Sequence, residues 1–313
     1  MFEQLLSLIQ AYDTVIIHRH NRPDGDALGS QLGLKHIIKE NWPHKAVYVV
    51  GDLSGYLSFM EDCVMDTVPD STYEGALAIV LDTSSPQLIS DDRWKLAAAT
   101  ARMDHHIFQG QIAEVEVTDD SYESCCGLIT AFAMECGLRI NSLAAKSLYT
   151  GMITDSGRFR YDNTTARTFR LAAHLMEQGF DPNEIYRPLY AETLENKKLR
   201  AQFILKAQFT TRNVAYIYTT REELAELGLD VFTVSRGMVN TMADLKGVSI
   251  WANFTETDEG VLCELRSADR SINHIAVKYG GGGHAKACGA TVPDRQTAMA
   301  LLNDLDQMMG DLT

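Results

Sequence analysis

The chain has 313 residues, a length for two domains, and its 45% hydrophobic and 22% charged residues are the balance of a globular protein rather than a disordered or fibrous one. No apolar run approaches the ~18 residues of a membrane span, and the opening MFEQLLSLIQAY lacks the basic-then-apolar order of an export signal, so a cytoplasmic protein without a membrane partner is expected. Lysine and arginine total 28 against 42 aspartate and glutamate, a formal net charge of −14, which argues against indiscriminate grip on long nucleic acid but says nothing of a local pocket.

In chain order, apolar residues at helical spacing open the sequence (Phe2, Leu5, Leu6, Ile9). Short apolar runs at 14–18, 45–50, 76–81 and 100–103 predict strands, and 26–39, 144–154 and 166–178 predict helices. Strands alternating with helices imply a parallel sheet, with ALAIVL as a central buried strand. The pattern changes near Asp181 and Pro182, and a charged helical stretch follows at 192–206. Beyond it come a strand (214–219), helices (222–227, 231–242), strands (248–254, 261–266), a helix (272–279), a glycine-rich loop and a last helix. The expected fold is α/β: a parallel-sheet domain over 1–187, a connecting helix over 188–210, and a smaller α+β domain over 211–313, with the active site in the cleft between the domains. The six cysteines, at 63, 125, 126, 136, 263 and 288, include no CxxC pair, so free thiols are expected, Cys125 and Cys126 packing as small hydrophobes.

Acidic and histidine residues recur where the predicted strands end. His20, Asp24 and Asp26 follow the first strand in HRHNRPDGDA, where Pro23 and Gly25 enforce a turn. Asp82 closes ALAIVLD, Asp104-His105-His106 closes the next strand, and Asp155 follows a helix in TDSG. In open α/β sheets this carboxyl edge is where ligands bind. Singly, each motif has an ordinary explanation, since a Pro-Asp loop is commonly a turn and an aspartate after a strand commonly caps a helix. Together they crowd carboxylates: two of them ~4 Å apart repel by roughly 4 kcal/mol at an effective dielectric near 20. A bound cation or a proton relieves that repulsion. Four ionised aspartates balance two divalent cations, and mixed carboxylate and imidazole donors suit manganese.

GGGGHAKACG, from Gly280 to Gly289, is the second signal. Glycines without Cβ atoms let successive backbone amides converge on an anion, and His284 and Lys286 add donors; a simple hairpin tip is the alternative. Arg266 and Ser267 end a strand just upstream, and Asn273 lies on the following helix.

These residues carry a family resemblance. PDGDA with His20, Asp82 in LDTS, Asp104-His105-His106 and Asp155 in TDSG resemble the four motifs of the DHH phosphoesterase superfamily, and GGGGHAKACG resembles the glycine signature of its DHHA1 substrate domain. GRF at 157–159 and RS at 266–267 are similar to the bacterial nano-RNase and pAp phosphatase subfamily, which includes phosphodiesterases acting on pApA. The resemblance implies two divalent cations, manganese first. One would be held by His20, Asp24 and Asp82, and the other by Asp26, Asp82, His105 and Asp155, with Asp82 bridging. It further implies that Asp104 orients a ligand histidine and that His106 touches the scissile phosphate. Arg158, Arg266, Ser267, Asn273, Gly281, Gly282, Gly283 and His284 would grip the nucleotide. SYESCCGL at 121–128 and Ala285-Lys286 depart from the relatives' pattern.

The implied activity is attack on a phosphate by a metal-bridging hydroxide. The expected substrates are short oligoribonucleotides, linear dinucleotides such as pApA, and 3′-phosphoadenosine 5′-phosphate. Long duplex nucleic acid is not an expected partner, and a homodimer stays open. The rival activity is a RecJ-like single-strand DNA exonuclease, for which no basic stripe is visible. A rival of another kind is an inactive nucleotide sensor, which should have lost a ligand, whereas all six candidates are present.

Overall fold

The computed structural model describes residues 2–52 and 54–310. The chain divides into two compact units, Met1–Ala191 and Glu192–Thr313. In the first, α1 (Glu3–Ala11) leads into β1 (Thr14–Arg19), α2 (Gly25–Asn41), β2 (Ala46–Val49), β3 (Leu77–Leu81), β4 (Ala99–Asp104) and β5 (Val115–Thr118). Four helices follow, α3 (Cys125–Glu135), α4 (Ser142–Asp155), α5 (Ala166–Met176) and α6 (Asn183–Tyr190). The sheet order is β2-β1-β3-β4-β5, and every pairing is parallel. All five residues of β3 are buried, which is why that strand reads as an unbroken apolar run. Strand order reverses between β1 and β3, so the connections leaving their carboxyl ends run in opposite directions, the place in such sheets where ligands bind.

Helix α2 is buried along most of its length because it lies against α4. Gly29 permits that approach, since a Cβ there would stand 2.6 Å from the Ser147 carbonyl oxygen. Each such close contact brings the loop before α2 and the end of α4 toward the same edge of the sheet.

The second unit opens with α7 (Leu194–Leu205), then β6 (Gln208–Phe209), β7 (Ala215–Thr219), α8 (Arg221–Leu227), α9 (Val231–Val239), β8 (Ile250–Thr257) and β9 (Gly260–Ser267). It ends with α10 (Asn273–Lys278), β10 (Gly282–Gly283), β11 (Ala287–Val292) and α11 (Arg295–Met308). Its sheet runs β10-β11-β9-β8-β7-β6, with only β7 and β8 parallel. Alternation along β8 sends Ile250, Ala252 and Phe254 to the α11 side and Trp251 to the α9 side, so helices cover both faces. Buried Asn253 pins α9 by donating to the Val234 and Ser235 carbonyls at 2.7 and 2.8 Å.

The α/β class and the two kinds of sheet agree with the sequence reading. Sequence periodicity passed over β5, α3, α6 and β11. Helix α3 is too uniformly apolar, and β5 and β11 too short or glycine-bearing, to show a clear period. The glycine run differs from an open loop: β10 pairs with β11, Gly282 opposite Gly289 and Gly283 opposite Cys288. Only Gly280 and Gly283 of the four have positive φ. Gly281 serves close strand approach, since a Cβ there would overlap the Gly289 carbonyl, while a Cβ at Gly282 would meet open space.

Candidate active site

The carboxyl ends of β1, β3 and β4 and the ends of α2 and α4 carry the acidic and histidine residues to one place. Asp24 caps α2, its Oδ1 accepting from the Asp26 and Ala27 amides at 3.0 Å each. The helix-cap explanation therefore holds for Asp24, yet its carboxylate also stands 3.9 Å from His20 Nε2. His20 Nδ1 bonds the Asn21 carbonyl at 2.7 Å, which turns Nε2 toward Asp82 Oδ2 at 3.4 Å. His105 Nε2 lies 3.5 Å from Asp82, 3.5 Å from Asp155 and 3.7 Å from Asp26. The donor atoms of His20, Asp24 and Asp82 fall within 4.8 Å of one another, as do those of Asp26, His105 and Asp155, and of Asp82, His105 and His106. Asp82 is thus common to two of the three groups.

Asp82 is buried and left-handed, with φ of 48°, a conformation costly for a residue other than glycine and concentrated at functional sites. Its Oδ1 has no hydrogen-bond partner among the described residues. An orphaned buried carboxylate oxygen flanked by imidazole nitrogens at 3.5 and 3.6 Å fits a cation ligand better than a structural role. The donor set of carboxylates and imidazoles therefore fits one or more divalent ions.

Proton affinities in the cluster record the crowding of its charges. Burial opposes charging of His20, but its bond to Asp82 and the neighbouring carboxylates raise it to about 9. The same contest, with Asp26, Asp82 and Asp155 all nearby, lifts His105 to about 11. Burial and the Asp82 charge push Asp26 up to about 7, and burial with the Asp26 charge holds Asp155 well above the usual carboxylate range. Burial works against ionised Asp82, yet the close contacts with the His105 and His20 imidazoles hold it below that range.

Asp26 is also held from behind. Its two oxygens accept from the Cys125 and Cys126 amides at 2.7 and 2.9 Å. Those amides open α3 and have no partner within their own helix, and the helix dipole favours a carboxylate there. SYESCCGL thus anchors a site aspartate, and Ser124 makes the cap by accepting from the Gly127 amide at 2.9 Å. Behind His20, fully buried Arg19 donates to the His20 carbonyl at 3.1 Å and to Gln31 at 2.9 Å. Sequence reasoning assigned none of these groups; the one available signal was Ser124 ahead of an apolar run.

Asp104 bonds His106, its Oδ1 lying 2.7 Å from His106 Nδ1. The histidine it orients is therefore His106, leaving His106 Nε2 for another partner, while His105 Nδ1 sits 3.4 Å from the Tyr122 carbonyl. Asp155 ends α4, and Gly157, Arg158 and Phe159 follow with φ of 56°, 64° and 63°. Buried Ser156 accepts from the Phe159 amide at 2.9 Å and steadies this turn, and the Arg158 guanidinium lies over the Tyr190 ring at 4.7 Å.

In the second unit, Arg266, Ser267, Asn273, Gly283 and His284 gather where β9, β11 and β10 meet, Arg266 opposite Ala287, while Gly281 and Gly282 lie further along β11 beside Ala290 and Gly289. The Ser267 amide donates to the Lys286 carbonyl at 2.9 Å, and Asn273 Nδ2 donates to the Gly283 carbonyl. The His284 amide donates to the Ala287 carbonyl at 2.9 Å. Arg266 contacts Glu264 at 3.2 Å rather than standing alone.

Parallel strands ending in a mixed carboxylate and imidazole cluster, joined to a mixed-sheet unit with a glycine hairpin, define a class that sequence comparison names. The DHH family N-terminal domain matches residues 14–152 and the DHHA1 domain matches residues 232–311. The chain belongs to the DHH/DHHA1 phosphoesterase family and is a hydrolase of phosphate esters. Among its relatives is the bifunctional oligoribonuclease and PAP phosphatase NrnA of Bacillus subtilis, 34% identical over 311 residues, 98% of each chain. The probable bifunctional oligoribonuclease and PAP phosphatase NrnA of Streptococcus mutans is 36% identical, covering 92% of this chain and 93% of its own. The crystal structure of an exopolyphosphatase-related protein from Bacteroides fragilis has the same fold, with a TM-score of 0.85 at 23% identity over 99% of this chain and 97% of that one. No helix among the described residues is long and apolar enough to cross a membrane.

Proposed function

We propose that the chain hydrolyses short oligoribonucleotides, linear dinucleotides such as pApA, and 3′-phosphoadenosine 5′-phosphate, using two divalent cations, manganese first. The observation that carries this reading is the convergence of two donor sets on Asp82, whose Oδ1 has no hydrogen-bond partner among the described residues. The names of the full-length NrnA relatives support the choice of short RNA and pAp. His20, Asp24 and Asp82 would hold one ion, and Asp26, Asp82, His105 and Asp155 the other. When bound, such ions supply Lewis-acid activation of water and neutralise charge developing on the phosphate.

The chain's own groups do the positioning. Asp24 caps a helix and so keeps its carboxylate at the loop's end, while the α3 amides fix Asp26. His106, held at Nδ1 by Asp104, presents Nε2 to the scissile phosphate as a donor. Arg158 and, in the second unit, Arg266, Ser267, Asn273, Gly281 to Gly283 and His284 bind the rest of the nucleotide; charge-assisted contacts from arginine suit its phosphates.

The test is a panel of pAp, pApA, cyclic-di-AMP, RNA of two to five nucleotides and long single-stranded DNA, ranked by kcat/KM with manganese. Preference for the short ribonucleotides and pAp supports the reading, and preference for long DNA replaces it with an exonuclease. Asp82→Ala should abolish turnover; full turnover by that variant refutes the site.

A further inference from the structure

We infer that Arg102 and Glu116 form one buried positioning unit that sets the segment carrying Asp104 and His106. The inference rests on the proposed function only in taking His106 as a contact to the reacting phosphate. Both residues lie opposite each other on β4 and β5, and the Arg102 side chain is completely buried. A buried guanidinium without partners is strongly destabilising, so where its donors point is informative. Nε donates to Glu116 Oε2. Nη1 donates to the Thr83 carbonyl and Nη2 to the Gly110 carbonyl, both at 3.3 Å. Nη1 also lies 3.9 Å from Asp104 Oδ2, and the Phe108 ring covers the guanidinium at 5.5 Å. Glu116 Oε1 accepts from the Ile112 and Ala113 amides at 2.6 and 2.7 Å.

Two side chains therefore touch four residues of the stretch after His106: Phe108, Gly110, Ile112 and Ala113. The same guanidinium touches the residue after Asp82 and the carboxylate that holds His106. An apolar pair of similar volume could fill this space with equal or greater stability. The ion pair adds direction: carbonyls and amides of three segments are bound at fixed angles to a rigid planar group. The pair makes no contact with a site donor except through Asp104, so it acts by aiming His106.

The test compares Glu116→Gln and the apolar replacement Arg102→Met/Glu116→Leu, each in the parent protein and in a His106→Gln background. Three readouts are needed: hydrogen exchange over residues 105–113, manganese affinity by calorimetry, and kcat and KM on 3′-phosphoadenosine 5′-phosphate. The double variant should keep its melting temperature yet lose protection over 105–113. Both variants should lose kcat by about tenfold, the usual effect of disturbing the partner of an active-site group. KM and manganese affinity should stay within about twofold, and in the His106→Gln background the further loss should fall below about twofold, since residues acting through one group are not additive. Unchanged exchange over 105–113 overturns the inference. So does an undiminished tenfold loss in the His106→Gln background, which would mark a general structural role. If the parent protein hydrolyses no substrate of the panel, the proposed function fails instead, and exchange with calorimetry still decides the pair.

Discussion

At the scale of single residues, several side chains are explained by what surrounds them and not by their type. Gly151 on α4 is a glycine because a Cβ there would overlap Cys126 Sγ and stand 2.8 Å from Asp26 Oδ1. Gly151→Ala should lower stability by about 1–3 kcal/mol, the usual result of overpacking. It should also weaken manganese binding in calorimetry, because Asp26 must move. His36 is a second case. It is buried, with Nε2 unbonded among the described residues and Asp62 3.5 Å away, and burial lowers its proton affinity below the ordinary histidine value. The unfolded chain then takes up the proton near pH 6.5 while the folded chain does not, so stability is present above that pH and is lost as pH falls below it. His36→Gln should flatten the melting temperature against pH between about 6.5 and 5; a curve parallel to the parent's would assign the acid lability elsewhere.

At the scale of elements, α3 matters most. It buries an apolar face in the first unit's core and offers its opening amides to Asp26 across the sheet edge. Ser124 is its cap, so Ser124→Ala should cost about 1 kcal/mol. For a unit of this size that is a fall of roughly 2–4 °C in melting temperature by calorimetry. The β10–β11 hairpin is the other instructive element. Its glycines let two strands meet where a Cβ would strike a carbonyl, and this places His284 and the Gly283 carbonyl beside Asn273. Conformational freedom at Gly280 and Gly283 and close approach at Gly281 are separate reasons for one glycine run.

At the scale of the molecule, a chain of net charge −14 concentrates part of its acidity in one partly buried cluster. Cations should therefore stabilise the fold. Manganese at about a hundredfold excess over its dissociation constant should add roughly 2.7 kcal/mol. A chelator should reverse the gain, and Asp82→Ala should show none of it in a thermal melt. The remaining surface charge predicts no measurable binding of long duplex DNA at physiological salt by fluorescence anisotropy. Tight binding there would mean a basic face that the composition hides.

Much was legible from the sequence alone. Buried parallel strands read as apolar runs, and the residues ending those runs reach a common edge because parallel strands share a direction. That is why His20, Asp24, Asp82 and His105 are legible in the sequence, whereas Asp155 closes a helix and reaches the same edge only because α4 packs against α2. The supporting groups were not, because their partners are remote in sequence. The Cys125 amide lies 99 positions from Asp26, and Glu116 meets Arg102 only because β5 pairs with β4. Local periodicity reports which face of an element is buried. Only tertiary packing decides what a buried polar group finds there, since the cost of leaving it unbonded is met by whichever segment the fold brings alongside.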